Sequence, residues 1–372
     1  MKTFALTAIT ATLCLAVSGS AAAQEQAPEK ATHPDYDRRQ VVPFLDATYV
    51  AFARARRASP GASDDTEVTF EADIVPNFVI RQTFFDVIEE EDVSVRAREK
   101  APEFRFAWSL VGVPMVRLRM FVNDTSSPVR TPSYMPKGTV QLFLFKLGTN
   151  DRLNLFNLQG TVGHHSNGQD GCLFVGQVRD ETQDDSPCVP EAPADKTFIP
   201  VNRKDGSFST NYVQIGARYR NIALDPPAPV SGNGSQPPDR TSRRDATIGV
   251  DVELNPEGFL GGGGIDADLS ERYGKTRLSL LGGMAWRSRV CHRLETKGFI
   301  KRIFGTGDDV AGWAGSAELQ CLFRETNWGA FVRYFAGQDY YNLAFQDDAR
   351  RLQFGMTYSQ EGFLRFRPRR TP

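Results

Sequence analysis

From about residue 44 onward, the chain alternates apolar with polar or small residues in runs of about ten. The runs cover 67–80, 103–111, 139–147, 154–162, 209–219, 245–254, 276–286, 314–323, 328–335 and 351–358, with two shorter ones at 115–121 and 265–269. A period of two sends successive side chains to opposite faces of a strand. Runs of about ten match the length of a tilted strand that crosses a bilayer. The polar partners are often Arg, Gln, Asn, Thr or Gly, as in Asn211-Tyr212-Val213-Gln214-Ile215-Gly216-Ala217-Arg218-Tyr219. One face of such a strand suits lipid and the other a polar lumen. A soluble β-sandwich alternates in the same way. The number of runs, the secretory leader described below and the aromatic residues near many run ends favour the membrane barrel. The predicted fold class is all-β, an antiparallel transmembrane β-barrel of outer-membrane type.

The connections fit this picture. They alternate between tight and long, and the long ones include 168–207 and 225–244. The second contains Pro226-Pro227-Ala228-Pro229 and Ser231-Gly232-Asn233-Gly234-Ser235, which cannot pair as a strand. Gly261-Gly262-Gly263-Gly264 lacks the strand-then-helix setting of a phosphate loop and reads as a turn.

Residues 1–23 change the compartment. Lys2, an apolar stretch from Phe4 to Val17 and the Ala21-Ala22-Ala23 site read as a cleavable signal peptide. Residues 24–43 then form a polar N-terminal segment, 44–363 the barrel domain and 364–372 a basic tail. The 44 basic and 45 acidic residues among 372 nearly cancel, which gives nucleic acid no electrostatic handle. Four cysteines follow the leader. In an oxidising compartment Cys172 with Cys188 would close a loop and Cys291 with Cys321 would staple neighbouring strands, although other pairings fit the sequence as well.

Candidate chemistry lies at 164–168, His164-His165-Ser166-Asn167-Gly168. On a strand, His164 and Ser166 share one face and His165 takes the other. An imidazole beside a hydroxyl is what ester hydrolysis by serine needs: a base to take the proton, and a third group to fix the base's tautomer. Two of the chain's four histidines are here, and no other His, Cys, Asp and Glu grouping has metal-ligand spacing.

This segment resembles the H-x-S-N-G motif of the outer-membrane phospholipase A family. Ser126-Ser127-Pro128-Val129-Arg130-Thr131-Pro132-Ser133-Tyr134-Met135-Pro136 is similar to that family's S-S-P-F-R-x-x-x-Y-x-P segment, and Ser207-Phe208-Ser209-Thr210-Asn211 to its S-x-S-x-N. A weaker similarity runs from Gly337 to Gly355, at Tyr341, Arg351 and Gly355. The resemblance implies a twelve-stranded barrel that is calcium-dependent and active as a homodimer. It implies Ser166 as nucleophile, His164 as general base and Asn211 as orienter of the imidazole. It also implies calcium held by the Ser207 hydroxyl, the Gln169 carbonyl and Ser126 of the partner subunit. Two departures stand out. Gln169 replaces the family's usual Arg, and an acidic, cysteine-bearing insert, 172–205, lengthens the gap between Ser166 and Asn211.

The expected function is therefore calcium-dependent hydrolysis of glycerophospholipid acyl esters, a phospholipase A activity on membrane phospholipids. The expected location is the bacterial outer membrane, with the site toward the cell surface. The alternatives are a lipid A deacylase, whose family shares H-x-S-N but completes its triad with Glu, and a catalytically silent pore or structural barrel. The silent barrel would turn His164 or Ser166 into the lumen, or hold them out of reach of Asn211.

Overall fold

The computed structural model describes residues 43–58, 65–83, 104–121, 129–148, 152–178, 188–190, 201–203, 205–224, 240–257, 264–265, 267–288, 290–308, 310–323, 327–359 and 365–366. The leader, Ser126 and most of the 172–205 insert lie outside them, as do residues 367–372.

The strands are β1 (Thr48–Ala58), β2 (Asp65–Ile74), β3 (Phe78–Gln82), β4 (Arg105–Phe121), β5 (Val129–Gly148), β6 (Arg152–Ser166), a small β7 (Gln177–Val178) and β8 (Val189–Pro190), β9 (Ser209–Leu224) and β10 (Arg240–Leu254). Helix α1 (Ala267–Tyr273) follows, then β11 (Thr276–Trp286), β12 (Arg293–Phe304), β13 (Trp313–Leu322), β14 (Trp328–Gln338), a 3-10 turn at Asn342–Gln346, β15 (Asp348–Tyr358) and β16 (Arg365–Phe366). Antiparallel ladders run β1–β2–β4–β5–β6–β9–β10–β11–β12–β13–β14–β15 and return to β1. The described residues thus close a barrel of 12 strands, which leaves no free sheet edge. Pro76 breaks the ladder between β2 and β3 because it has no N–H to donate. β3 resumes pairing with β4 at Phe78↔Gly112. The break is held by Val75 N donating to Thr48 Oγ1 at 2.8 Å and by Asn77 Nδ2 donating to the Asp46 carbonyl at 2.8 Å.

The two faces of the wall differ as the alternation predicts. Along β6, Phe156, Leu158 and Val162 point outward and are exposed, while Leu155, Asn157, Gln159 and Thr161 point inward and are buried. Outward-facing Phe52, Ile215, Ile248, Leu280, Met284 and Ile300 are each more than half exposed. An apolar belt around a closed barrel is suited to hydrocarbon rather than water. No helix among the described residues is long and apolar enough to cross a membrane.

Inside, charged groups satisfy one another. Arg119, fully buried, binds Glu71 (2.7 Å) and Asp339 (2.7 Å), and Arg351 reaches the same two carboxylates. A cavity of about 520 Å³ lies among such side chains. Apolar clusters lie toward both ends of the barrel. Where β1 begins and β15 finishes, Val75, Phe143, Phe145, Leu155 and Ile222 cluster. At the other end Phe174, Val201, Phe208, Ile265, Leu269, Tyr273, Leu343 and Phe345 form a cap.

The sequence reading meets the structure unevenly. The run at 276–286 is β11 to the residue, and 103–111 with 115–121 merge into β4. Two strands of the barrel wall had no counterpart among the runs: β1, whose inward positions are mostly alanine, and β12, whose Lys297, Lys301 and Arg302 mask its apolar positions. The short run at 265–269 is corrected. Ile265 and Leu269 are buried in the cap and Ala267–Tyr273 is helical, since three or four residues of spacing serve one buried face of a helix. Both anticipated disulfides are present: Cys172–Cys188, with Cα atoms 5.7 Å apart, and Cys291–Cys321, with Cα atoms 5.4 Å apart, the second joining neighbouring β12 and β13 at their edge.

Candidate active site on the outer wall

The β6–β9 ladder sets the geometry. Its register pairs His164 with Asn211, His165 with Thr210 and Ser166 with Ser209. Directly opposed residues share a face, so His164 and Asn211 meet on the outside of the barrel, with Nδ1 to Oδ1 at 2.8 Å. An amide oxygen only accepts, so Nδ1 carries a proton, and in the neutral imidazole the lone pair is then on Nε2. Ser166 follows on the same face one pleat repeat away, roughly 7 Å along the strand. All three side chains are half-buried, at the rim of the apolar belt and at the capped end of the barrel. His164 is thus neither turned into the lumen nor out of reach of Asn211.

Alternation also explains what holds the following turn. Asn167 points inward and is buried at 1% exposure. Its Oδ1 accepts from the backbone N–H of Phe208 (3.0 Å) and of Gln169 (3.3 Å), and its Nδ2 donates to the Gly206 carbonyl (2.7 Å). One amide therefore ties the segment leaving β6 to the segment entering β9. Gly168 sits at φ 66°, a left-handed conformation natural to glycine, and a Cβ there would come within 3.3 Å of the Tyr134 ring. Tyr134 itself lies across from Ser166 on β5.

The predicted calcium donors are partly brought together. Gln169 and Phe208 both bond to the same Asn167 oxygen, which places Ser207 next to the Gln169 segment. The Ser207 N–H also donates to the Gly171 carbonyl at 2.8 Å. Hydroxyl and carbonyl oxygens suit a hard cation. Ser126 lies outside the described residues, and those described contain no cluster of three or more His, Cys, Asp or Glu that would hold a metal. Three described residues of the insert pack onto the barrel. Phe174 and Val201 join the cap, and Arg203 forms a two-pronged ion pair with the buried Asp347 (2.9 and 2.5 Å).

Sequence reasoning gave no role to the inner side of the site. There His165, fully buried, packs edge-on against Phe208 with centroids 4.9 Å apart. Its Nδ1 lies 3.1 Å from the Tyr273 hydroxyl, which donates to the Tyr340 hydroxyl at 2.8 Å. Burial raises both phenols, that of Tyr340 well above its ordinary range, so both stay neutral. Their partnership with His165 is visible only when the cap is in place, because 165, 273 and 340 are far apart in the chain.

No protein-family model matches the chain, and no curated protein sequence matches it. Among solved structures, outer membrane phospholipase A from Escherichia coli is 11% identical, with 84% of this chain and 92% of that one covered and a TM-score of 0.41. The Salmonella typhi outer membrane phospholipase dimer with bound calcium is 10% identical, with coverage of 86% and 94% and a TM-score of 0.43. The translocator domain of the autotransporter NalP from Neisseria meningitidis is 8% identical, with coverage of 84% and 90% and a TM-score of 0.27.

Proposed function

We propose that this chain is a phospholipase A of the bacterial outer membrane, hydrolysing acyl esters of glycerophospholipids with Ser166 as nucleophile, His164 as base and Asn211 as orienter. The observation that carries this reading is the 2.8 Å His164–Asn211 contact on the outward face that also bears Ser166. A base and nucleophile on the lipid-facing side meet a substrate that diffuses laterally in the leaflet, whereas a lumenal pair behind an apolar cap would not.

In the proposed reaction, His164 Nε2 accepts the Ser166 proton as Oγ attacks the ester carbonyl. The imidazolium then returns that proton to the departing glycerol oxygen, leaving an acyl-Ser166 ester and a lysophospholipid. A water molecule, deprotonated by His164, releases the fatty acid. Asn211 keeps Nδ1 protonated throughout. Being neutral, it stabilises the imidazolium less than a carboxylate would. Calcium, when bound by Ser207, the Gln169 carbonyl and Ser126 of the partner subunit, would supply positive charge for the oxygen that becomes negative in the tetrahedral intermediate. This reading makes the active form a homodimer. It also sets the capped end toward the cell surface, since the long connection between β6 and β9 lies there and outer-membrane barrels carry their longer loops outside.

The test is fatty-acid release from a defined phospholipid by the refolded full chain in calcium. Ser166→Ala is expected to lower the rate by at least about 10³-fold while the barrel stays folded. Excess chelator is expected to suppress the wild-type rate. Hydrolysis undiminished in Ser166→Ala would defeat the mechanism, and a rate indifferent to chelator would defeat the calcium site.

A further inference from the structure

The end of β6 is paired less completely than the rest of the strand. Toward β9 its ladder is continuous through Ser166. Toward β5 the pairing passes from Lys137↔Gly163 to Tyr134↔Ser166 and skips His164 and His165. The residue that falls opposite His164 is Pro136, which has no N–H to give. His164 and His165 therefore have register partners on β9 but none on β5.

On the lumenal side a second tie exists. An apolar ring would fill the slot between Phe208 and Tyr340 without leaving a nitrogen unpaired, yet the slot holds His165, whose Nε2 is buried with no hydrogen bond among the described residues. What the imidazole gains is one bond, to Tyr273 at 3.1 Å. Tyr273 is well anchored. The Arg277 guanidinium lies 3.9 Å over its ring and donates to its carbonyl at 2.9 Å, while Arg277 also pairs with Glu253. Phe345 packs edge-on against Tyr273 with centroids 5.4 Å apart.

We propose that His165 is a positioning residue. Through Tyr273, on the helix that caps the lumen, it fixes the pitch of the β6 end and so holds His164 against Asn211 and beside Ser166. The cap is thereby part of the catalytic machinery, although it touches no reacting atom. This inference rests on the hydrolase reading above.

The experiment compares the refolded full-length wild type with Tyr273→Phe, His165→Phe and the double variant, in calcium, on a dispersed phospholipid. Three quantities are read: the folded fraction, kcat and KM per folded molecule, and the rate at which a phosphonyl fluoride labels Ser166. Tyr273→Phe removes one oxygen and keeps the ring packing. It is expected to lower kcat and the labelling rate by about tenfold with KM unchanged, since small displacements of a base are costly in rate. His165→Phe is expected to do the same, and the double variant to be no slower than the slower single. A purely structural role would change the folded fraction but not kcat per folded molecule. Rates per folded molecule equal to wild type in Tyr273→Phe, or losses that multiply in the double variant, overturn the coupling while leaving the hydrolase reading intact. A wild type that releases no fatty acid overturns both.

Discussion

The outer and inner faces of the same wall solve opposite problems. On the outer face at the end of β6, His164 and Asn211 make a single side-chain bond, and the surroundings are apolar and open. Across the lumen, Arg119 is fully buried and bonds to two carboxylates, Glu71 and Asp339, each of which also binds Arg351. The Arg119 guanidinium further lies 4.1 Å over the Tyr341 ring. Charge is affordable where it is matched from several strands at once, whereas the outward His164 has one side-chain hydrogen-bond partner, the Asn211 amide. The comparison teaches that the lumen gathers matched charge while the lipid face carries the residues proposed for chemistry. Residues on alternate positions of one strand can therefore sit in opposite surroundings, as His164 and His165 do.

The largest effect should come from the inner face. Arg119→Met leaves Glu71 and Asp339 each short of one cation, and breaking a buried pair in this way costs about 3–5 kcal/mol. The check is urea or thermal unfolding of the refolded barrel. A loss below about 1 kcal/mol would remove the contrast drawn here. Next comes a charge on the other face. Ile248, 65% exposed and midway along β10, should cost about 2–4 kcal/mol as Ile248→Arg in a bilayer. The same substitution measured in micelles and in vesicles shows whether lipid contact is the cause, and no difference from a neutral exchange in vesicles would mean that the belt does not face hydrocarbon. The smallest effect belongs to the orienter. Asn211→Ala is expected to slow hydrolysis by about 10- to 100-fold, equivalent to about 1.4–2.7 kcal/mol, with unfolding unchanged. An unfolding midpoint that falls with the rate would assign Asn211 to the scaffold instead.

Legibility in the sequence followed the same division. The outer pair was readable because H-x-S on a strand needs only the period of two to place both side chains on one face. Asn211 was nameable only through the resemblance to a family motif, since 47 positions separate it from His164 and nothing local announces the pairing. The inner network was not readable. Tyr273 ends a short helix whose first residues, 267–269, the pattern assigned to a strand, and Tyr340 lies in a loop between β14 and β15. β1 was missed for a related reason: Ala51, Ala53 and Ala55 face inward and Arg54 and Arg56 outward, which blurs the apolar contrast that marks the other strands.

What the sequence determined by itself is what depends on near neighbours: alternating strands, their approximate ends, the proline- and glycine-rich connections, and the shared face of His164 and Ser166. These follow from backbone geometry repeated every two residues. What only the tertiary structure decided is which strands lie side by side and in what register. That register sets Asn211 opposite His164, lets Asn167 bridge the two segments of the turn, and brings Tyr273 and Tyr340 over the mouth to His165. Such contacts join residues far apart in the chain, and a ladder shifted by one residue would turn Asn211 into the lumen and leave the imidazole without its hydrogen-bond partner.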